Sequence, residues 1–156
     1  MKPYYKSQAP LKKEKGEYVV PITGHEYREK VLGVTDDVIV EFYSSTCSFC
    51  KKFEPVYEKF AQKLSVISNM KVYKIEAMKN EVEGIEIDKV PTVYIYTQGA
   101  KRKRILNREG FRLLELTDFV KRKSDVYREY YGIAEIEEEQ RRKKEEEAQM
   151  RSSLNE

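Results

Sequence analysis

Two cysteines, Cys47 and Cys50, are the residues of this chain whose type and spacing could carry reaction chemistry. They follow a run of β-forming residues and open a long amphipathic stretch, so Cys47 is predicted to lie at the N-terminus of a helix. Free N–H groups and the helix dipole stabilise a thiolate there, and the thiolate is the species that attacks a disulfide. Cys50, one turn further on, faces the same side and is expected to be more buried. The pair therefore favours thiol–disulfide exchange, in which Cys47 attacks and Cys50 resolves the mixed disulfide.

Two other interpretations of the pair stay open from spacing alone. A zinc site needs four ligands, whereas the chain adds only one histidine, His25, and carboxylates to the two thiols, so we expect no metal. The cysteines could also be an inert pair of core thiols. The position of the pair between a strand and a helix favours redox chemistry over both alternatives, and that chemistry implies no organic cofactor.

The elements that must position the pair follow from the periodicity of apolar residues. Thr23 and Glu26 have the spacing of a capping box, which predicts a helix that runs to about Leu32. Further helices are expected over 53–64 and 112–123, and a turn or short helix over 80–84. Strands are expected over 18–20, 38–43, 71–77, 92–96 and 102–107, with a turn at 98–99. Helices interleaved with strands, then a hairpin, predict an α/β fold with a mixed sheet and helices on both faces.

The chain is predicted to comprise a linker or extended leading strand over 1–16, a domain over 17–123 and a charged tail over 124–156. The first segment has two prolines and five lysines, and the tail has ten acidic and six basic residues. The tail therefore carries a charge of about −4 and the rest of the chain about +7, which together give the formal +3. Without an apolar stripe after Ile136, the tail is either a solvated, frayed helix or a coiled-coil segment that binds a partner.

Composition excludes several classes of protein. Net charge +3 is small and the charges are mixed, which argues against a nucleic-acid partner. Two cysteines exclude a disulfide-rich scaffold. The longest run without a charge is far shorter than a membrane span, so we expect no membrane partner. Residues 1–10 lack the apolar centre of a secretory signal.

The order of these features resembles the thioredoxin fold: a strand, the two cysteines, a helix containing Pro55, and Val90-Pro91 before a later strand. Residues 38–43 and 47–55 are similar to the protein disulfide isomerase family, as are the leading segment 5–10 and residues 107–123 with their Gly-x-Arg loop. The resemblance implies a mixed central sheet flanked by helices on both faces, plus a charged C-terminal helical or disordered tail. It also implies a C-terminal catalytic (a′-type) domain of a longer chain.

The same resemblance implies roles for other residues. Glu41 corresponds to a buried carboxylate that takes the proton of Cys50, with a pKa raised by desolvation, although a solvent-facing strand residue is the alternative. Lys74 corresponds to the lysine that neutralises this carboxylate. Pro91 corresponds to the cis-proline that faces the disulfide, and Val90 would pair with the backbone of an extended substrate.

The family also implies an arginine that swings toward Cys50 and stabilises its thiolate. Arg112 corresponds to it, Arg108 is the nearby alternative, and a surface charge is the other interpretation of either residue.

The chain departs from the family pattern around the cysteines. Thr46 replaces a tryptophan, Ser48 a glycine and Phe49 a histidine. Because Phe49 cannot stabilise a thiolate as a histidinium does, we expect a less strongly oxidising disulfide. Phe49 and Thr46 could instead give an apolar rim that contacts unfolded peptide.

These implications favour a thiol–disulfide oxidoreductase and isomerase of the endoplasmic reticulum lumen. Its expected partners are unfolded or misfolded disulfide-containing proteins and a redox partner, either glutathione or an oxidase. Two alternatives remain: a thioredoxin-like disulfide reductase, and a non-catalytic thioredoxin-fold module that binds peptides.

Overall fold

A computed structural model of the chain describes residues 4–98 and 102–155, and within them all side chains except those of 133 and 134. The chain divides into two compact units, Met1–Ser124 and Asp125–Glu156. The first unit holds the sheet and both cysteines, and the second is formed by a single long helix. In the described part, none of the helices has the length and apolar character needed to cross a membrane.

The first unit is built on a five-stranded mixed sheet, as predicted. Its strands lie side by side in the order β1-β3-β2-β4-β5; β1, β3 and β2 are parallel, and β4 and β5 are antiparallel to their neighbours. The strands are β1 Val20–Pro21, β2 Asp37–Tyr43, β3 Met70–Glu76, β4 Thr92–Tyr96 and β5 Arg104–Leu106. The helices are a short π-helical segment Arg28–Leu32, α1 Ser48–Leu64, α2 Leu113–Lys123 and α3 Asp125–Leu154.

Alternation along β2 assigns its side chains to two packed layers. Val38, Val40 and Phe42 join a core cluster on one face of the sheet, together with Tyr27 and Val31 from the π-helical region. The intervening residues, Ile39 and Glu41, therefore face the opposite side. The buried stripe of α1 is Cys50, Phe53, Tyr57, Phe60, Ala61 and Leu64, which keeps the helical spacing that the sequence indicated.

The first and last predicted strands differ in extent from the observed ones. The strand expected over 18–20 is β1 at Val20–Pro21, because the N–H groups of Tyr18 and Val19 donate to the carboxylate of Glu58 instead of to a strand. The strand expected over 102–107 is shortened to β5, because the Asn107 side chain accepts from the N–H of Glu109 and donates to the carbonyl of Gly110, which turns the chain. Half of the predicted 98–99 turn, Gly99, lies outside the described residues.

The helix expected over 23–32 begins later than predicted. Glu26 accepts from the Thr23 N–H at 3.1 Å, as a capping box requires, but the Thr23 hydroxyl also bonds the Glu26 carboxylate, at 2.9 Å. The hydroxyl is therefore directed to a side chain and residues 24–26 form a turn. Helical structure covers residues 27–32, of which Arg28–Leu32 are π-helical.

The leading segment is hydrogen-bonded to the loop that follows β3. In this segment, the backbone N–H of Lys6 donates to the Glu81 carboxylate at 2.9 Å, and the Glu81 N–H donates to the Lys6 carbonyl at 2.7 Å.

The tail is helical, and residues 137–155 are exposed throughout. Its ion pairs include Arg141–Glu138 at 3.1 Å and Lys143–Glu139 at 3.5 Å.

Candidate active site

Cys47 occupies the N-cap position of α1, where the sequence predicted it. Its sulfur accepts a hydrogen bond from the backbone N–H of Cys50 at 3.1 Å, so one of the unpaired N–H groups of the first helical turn is directed at the thiol. The Cys47 Sγ also lies 3.9 Å from the carbonyl oxygen of Val90. Both cysteines are free thiols; Cys47 is half-buried and Cys50 is only 4% exposed, which is the expected difference in burial.

The turn that leads into Cys47 is fixed by side-chain hydrogen bonds. The hydroxyls of Ser44 and Thr46 lie 2.9 Å apart, and the Cys47 N–H donates to the Ser44 carbonyl at 3.1 Å. Thr46, which replaces the family's tryptophan, is exposed and directs its hydroxyl into this turn. It therefore supports the backbone before Cys47, in addition to any contact with peptide.

Glu76 is a residue of the site that sequence reasoning missed. Its buried carboxylate accepts from the N–H groups of Ser45 and Met78, both at 2.8 Å, and so ties the end of β3 to the turn before Cys47. Burial acts to raise the pKa of Glu76, but these hydrogen bonds outweigh it and hold the pKa below its ordinary value. The available signal was an acidic residue at the end of a strand, adjacent to the parallel strand that precedes the cysteines.

Glu41 is buried on β2, so the interpretation of this residue as a solvent-facing strand position is wrong. Its side chain is 4% exposed, and desolvation raises its pKa to about 8, although the charge of Lys74 opposes this. Burial likewise raises the pKa of the Cys50 thiol to about 11, to which the hydrogen bond with Cys47 and the charges of Cys47 and Glu41 contribute. The two groups lie close enough for their charges to interact. Near neutral pH the Cys50 thiol holds its proton, whereas Glu41 is partly ionised.

Lys74 lies beside Glu41 and its charge acts on that carboxyl, as the resemblance implied, but its contact ion pair is with another residue. It pairs in register with Glu41 across β2 and β3, yet its Nζ lies 3.9 Å from Oε1 of Glu54 on α1. The ammonium also lies 5.8 Å from the centre of the Tyr43 ring. Among the described residues, Glu41 makes no ion pair with Lys74, so neutralisation of Glu41 acts at longer range than a contact pair.

The Val90–Pro91 peptide bond is cis, as the resemblance implied. Val90 and Pro91 line a cleft of about 590 Å³ together with Phe49 and Phe111. Phe49 is 51% exposed, and its ring packs edge to face against the Phe111 ring, with 5.7 Å between the ring centres. Phe49 is therefore accessible from solvent but also packs on the protein surface.

Arg112 is not directed at the cysteines in this structure. It is the N-cap residue of α2, its side chain is 89% exposed, and its Nε lies 3.7 Å from Oε1 of Glu115. The exposed alternative, Arg108, lines the cleft beside Phe49. Arg112 would have to move to stabilise the Cys50 thiolate. Within the described residues, no cluster of three or more His, Cys, Asp or Glu side chains is placed to hold a metal ion.

This combination defines a thioredoxin-fold domain with a cysteine pair at a helix N-terminus beside a cis-proline. Residues 18–122 match the thioredoxin family, and the chain belongs to that family. Its relatives include protein disulfide-isomerase A4 of Bos taurus, 34% identical over 123 residues, and protein disulfide isomerase-like 1-3 of Arabidopsis thaliana, 35% identical over 101 residues. These matches cover 77% and 65% of this chain, but only 19% and 17% of the relatives, so the chain spans less than a fifth of their length.

Solved structures support the fold. The Trx4 domain of ERdj5 aligns with a TM-score of 0.58 at 19% identity, covering 69% of this chain and 96% of that one. The first thioredoxin domain of mouse protein disulfide-isomerase A4 aligns with a TM-score of 0.57 at 23% identity, covering 70% and 77%.

Proposed function

We propose that the chain is a thiol–disulfide oxidoreductase that acts on disulfides of unfolded or misfolded proteins. The observation that carries this proposal is the placement of Cys47: its sulfur accepts a helix N-terminal N–H, and Cys50 lies buried one turn behind it. An N–H directed at the sulfur favours the thiolate, and a second thiol at this spacing can resolve the mixed disulfide.

In the reductive direction, the Cys47 thiolate attacks one sulfur of a substrate disulfide. A bond forms between Cys47 and that sulfur, the substrate S–S bond breaks, and the other substrate sulfur leaves as a thiolate. Cys50 then loses its proton and attacks the Cys47 sulfur. The mixed disulfide breaks, and the second substrate sulfur leaves as a thiolate. The substrate disulfide has then been reduced by two electrons, and the two cysteines have been oxidised to a Cys47–Cys50 disulfide.

Glu41 is the proposed base for the second step. Cys50 holds its proton far above neutral pH, so attack by Cys50 requires a base, and Glu41 with a pKa of about 8 exchanges protons in the range where the reaction must run. Lys74 limits the cost of the buried charge from a distance. We propose Val90 and Pro91 as contacts for the extended substrate and Phe49 as an apolar contact beside them.

The direction of the reaction depends on the redox partner, for which we propose glutathione or an oxidase. Isomerase activity would follow if a substrate thiolate, instead of Cys50, attacks the mixed disulfide. We further propose that the chain is the C-terminal, a′-type catalytic domain of a longer protein of the endoplasmic reticulum lumen. The similarity to the protein disulfide isomerase relatives supports these finer assignments.

An insulin-reduction assay with dithiothreitol as reductant tests the proposal. Wild type should accelerate insulin precipitation, and Cys47→Ala should abolish the acceleration while leaving the circular dichroism spectrum unchanged. Acceleration that persists in Cys47→Ala overturns the assigned role of Cys47. No acceleration by wild type would favour the peptide-binding module. Rearrangement of scrambled ribonuclease separates an isomerase from a thioredoxin-like reductase, which would reduce insulin but leave scrambled ribonuclease inactive.

A further inference from the structure

We propose that Glu54 is a positioning residue: it holds the ammonium of Lys74 away from Glu41 and so sets the pH range in which Glu41 can accept a proton. This inference rests on the proposed function for its significance, because Glu41 is there the base for Cys50. It concerns an exposed residue of α1 that the family resemblance did not single out.

The geometry around Lys74 carries the argument. Strand register places Lys74 directly beside Glu41, and a lysine beside a buried carboxylate would be expected to form a contact ion pair with it. Instead, Lys74 Nζ lies 3.9 Å from Glu54 Oε1 and faces the Tyr43 ring at 5.8 Å. In the described part of the chain, Glu54 is the carboxylate with which Lys74 makes an ion pair. The ammonium is therefore drawn toward Glu54 on α1.

The environment of Glu41 shows what this position of Lys74 changes. Lys74 is the cation contributed by β3, while β4 places the apolar Val93 opposite Glu41 in register. Among the described residues, the other titratable groups that interact with the charge of Glu41 include Cys50, Glu54 and Tyr57 of α1 and Tyr43 of β2. None of the four is a cation, so none of them can neutralise the charge of an ionised Glu41 as Lys74 can.

Two effects of Glu54 thus both raise the pH at which Glu41 loses its proton. Its negative charge repels that of Glu41 directly, and it also attracts the nearby cation that could neutralise Glu41. Both keep Glu41 protonated to higher pH than it would be with a contact ion pair to Lys74. Without Glu54, the ammonium is free to turn inward, because its stem already lies beside Glu41 in the sheet.

The test is a titration of the Glu41 carboxyl carbon by ¹³C NMR in the reduced protein, in wild type and Glu54→Gln. We expect the midpoint to fall by about one pH unit in Glu54→Gln, the size of effect typical of a gained opposite charge. Glu83→Gln makes the same chemical change at an exposed turn position and should leave the midpoint unchanged. An unchanged midpoint in Glu54→Gln overturns the proposal.

A double-mutant cycle with Lys74→Gln separates the two effects. If Glu54 acts by positioning Lys74, Glu54→Gln should shift the midpoint much less when Lys74 is absent. Equal shifts with and without Lys74 would show that Glu54 acts only through its own charge and would overturn the positioning role. Because the readout is the titration of Glu41 and needs no turnover, a failed insulin assay removes the proposed function without deciding this inference.

Discussion

The backbone N–H of Cys50 donates to the sulfur of Cys47, with 3.1 Å between the two atoms. This bond ties the two thiols into one unit but leaves them in different environments. Cys47 is half-buried at the helix end, whereas Cys50 lies in the buried stripe of α1 and has a raised pKa. A shared helical turn thus contains one sulfur suited to attack and one that needs a base.

The first prediction concerns the unequal reactivity of the thiols. In the reduced protein, Cys47 should react with iodoacetamide at least tenfold faster than Cys50 at neutral pH, because alkylation requires an accessible thiolate. Mass spectrometry of peptides after timed quenching measures both rates. Single Cys47→Ala and Cys50→Ala variants assign each rate to its residue. Equal rates, or faster reaction at Cys50, would contradict the assigned roles.

The second prediction concerns stability against pH. Glu41 has a folded pKa of about 8 against an ordinary value of 4.5, so the folded state binds more protons than the unfolded state between these values. The free energy of unfolding should therefore fall as pH rises from about 4.5 to about 8, by up to ~1.4 kcal/mol per pH unit from this group. Glu41→Gln should remove this dependence and be more stable than wild type at pH 8.

Urea denaturation at several pH values measures this difference, and Glu83→Gln serves as the control for loss of an exposed carboxylate. Parallel pH dependences of wild type and Glu41→Gln would show that Glu41 titrates normally. Glu41→Gln should also slow the attack of Cys50 on the mixed disulfide at Cys47, because Cys50 would lose its proposed base.

Local patterns were enough to predict the elements that position the cysteines. Residues 38–43 and 92–96 are contiguous β-formers, and the structure has strands at Asp37–Tyr43 and Thr92–Tyr96. Cys47 precedes a strong helical period, and it is the N-cap of α1. These features depend on residues near one another in the chain.

The differences at Thr23 and Asn107 come from local side-chain bonds, whereas others involve partners that are distant in sequence. Lys74 could pair with Glu41 on β2 or with Glu54 on α1, and residue spacing does not decide between them. The N–H groups of Tyr18 and Val19 bond to Glu58, some forty residues away, which displaces the first strand. Glu76 was missed for the same reason, since its role comes from the adjacent turn at Ser45.

The third prediction concerns the tail. Residues 137–155 are exposed, so their removal should not expose core residues. Deleting residues 137–156 should leave the melting temperature of the remainder nearly unchanged, as measured by differential scanning calorimetry. A fall of more than about 5 °C, which corresponds to roughly 1 kcal/mol, would mean that the tail stabilises the domain.

The last prediction concerns Phe49, which replaces a histidine of the family pattern. Phe49→His introduces a partly charged donor next to the Cys47 sulfur, and this donor should stabilise the thiolate. Because stabilising the reduced form raises the reduction potential, the disulfide should become a stronger oxidant. Equilibration in glutathione buffers measures the potential. Loss of the edge-to-face contact with Phe111 should cost about 1 kcal/mol or less of stability. Phe49→Leu, which loses the ring without gaining a donor, is the matched control and should keep the wild-type potential. If Phe49→His has the wild-type potential or a more reducing one, electrostatics at this position do not set the redox potential.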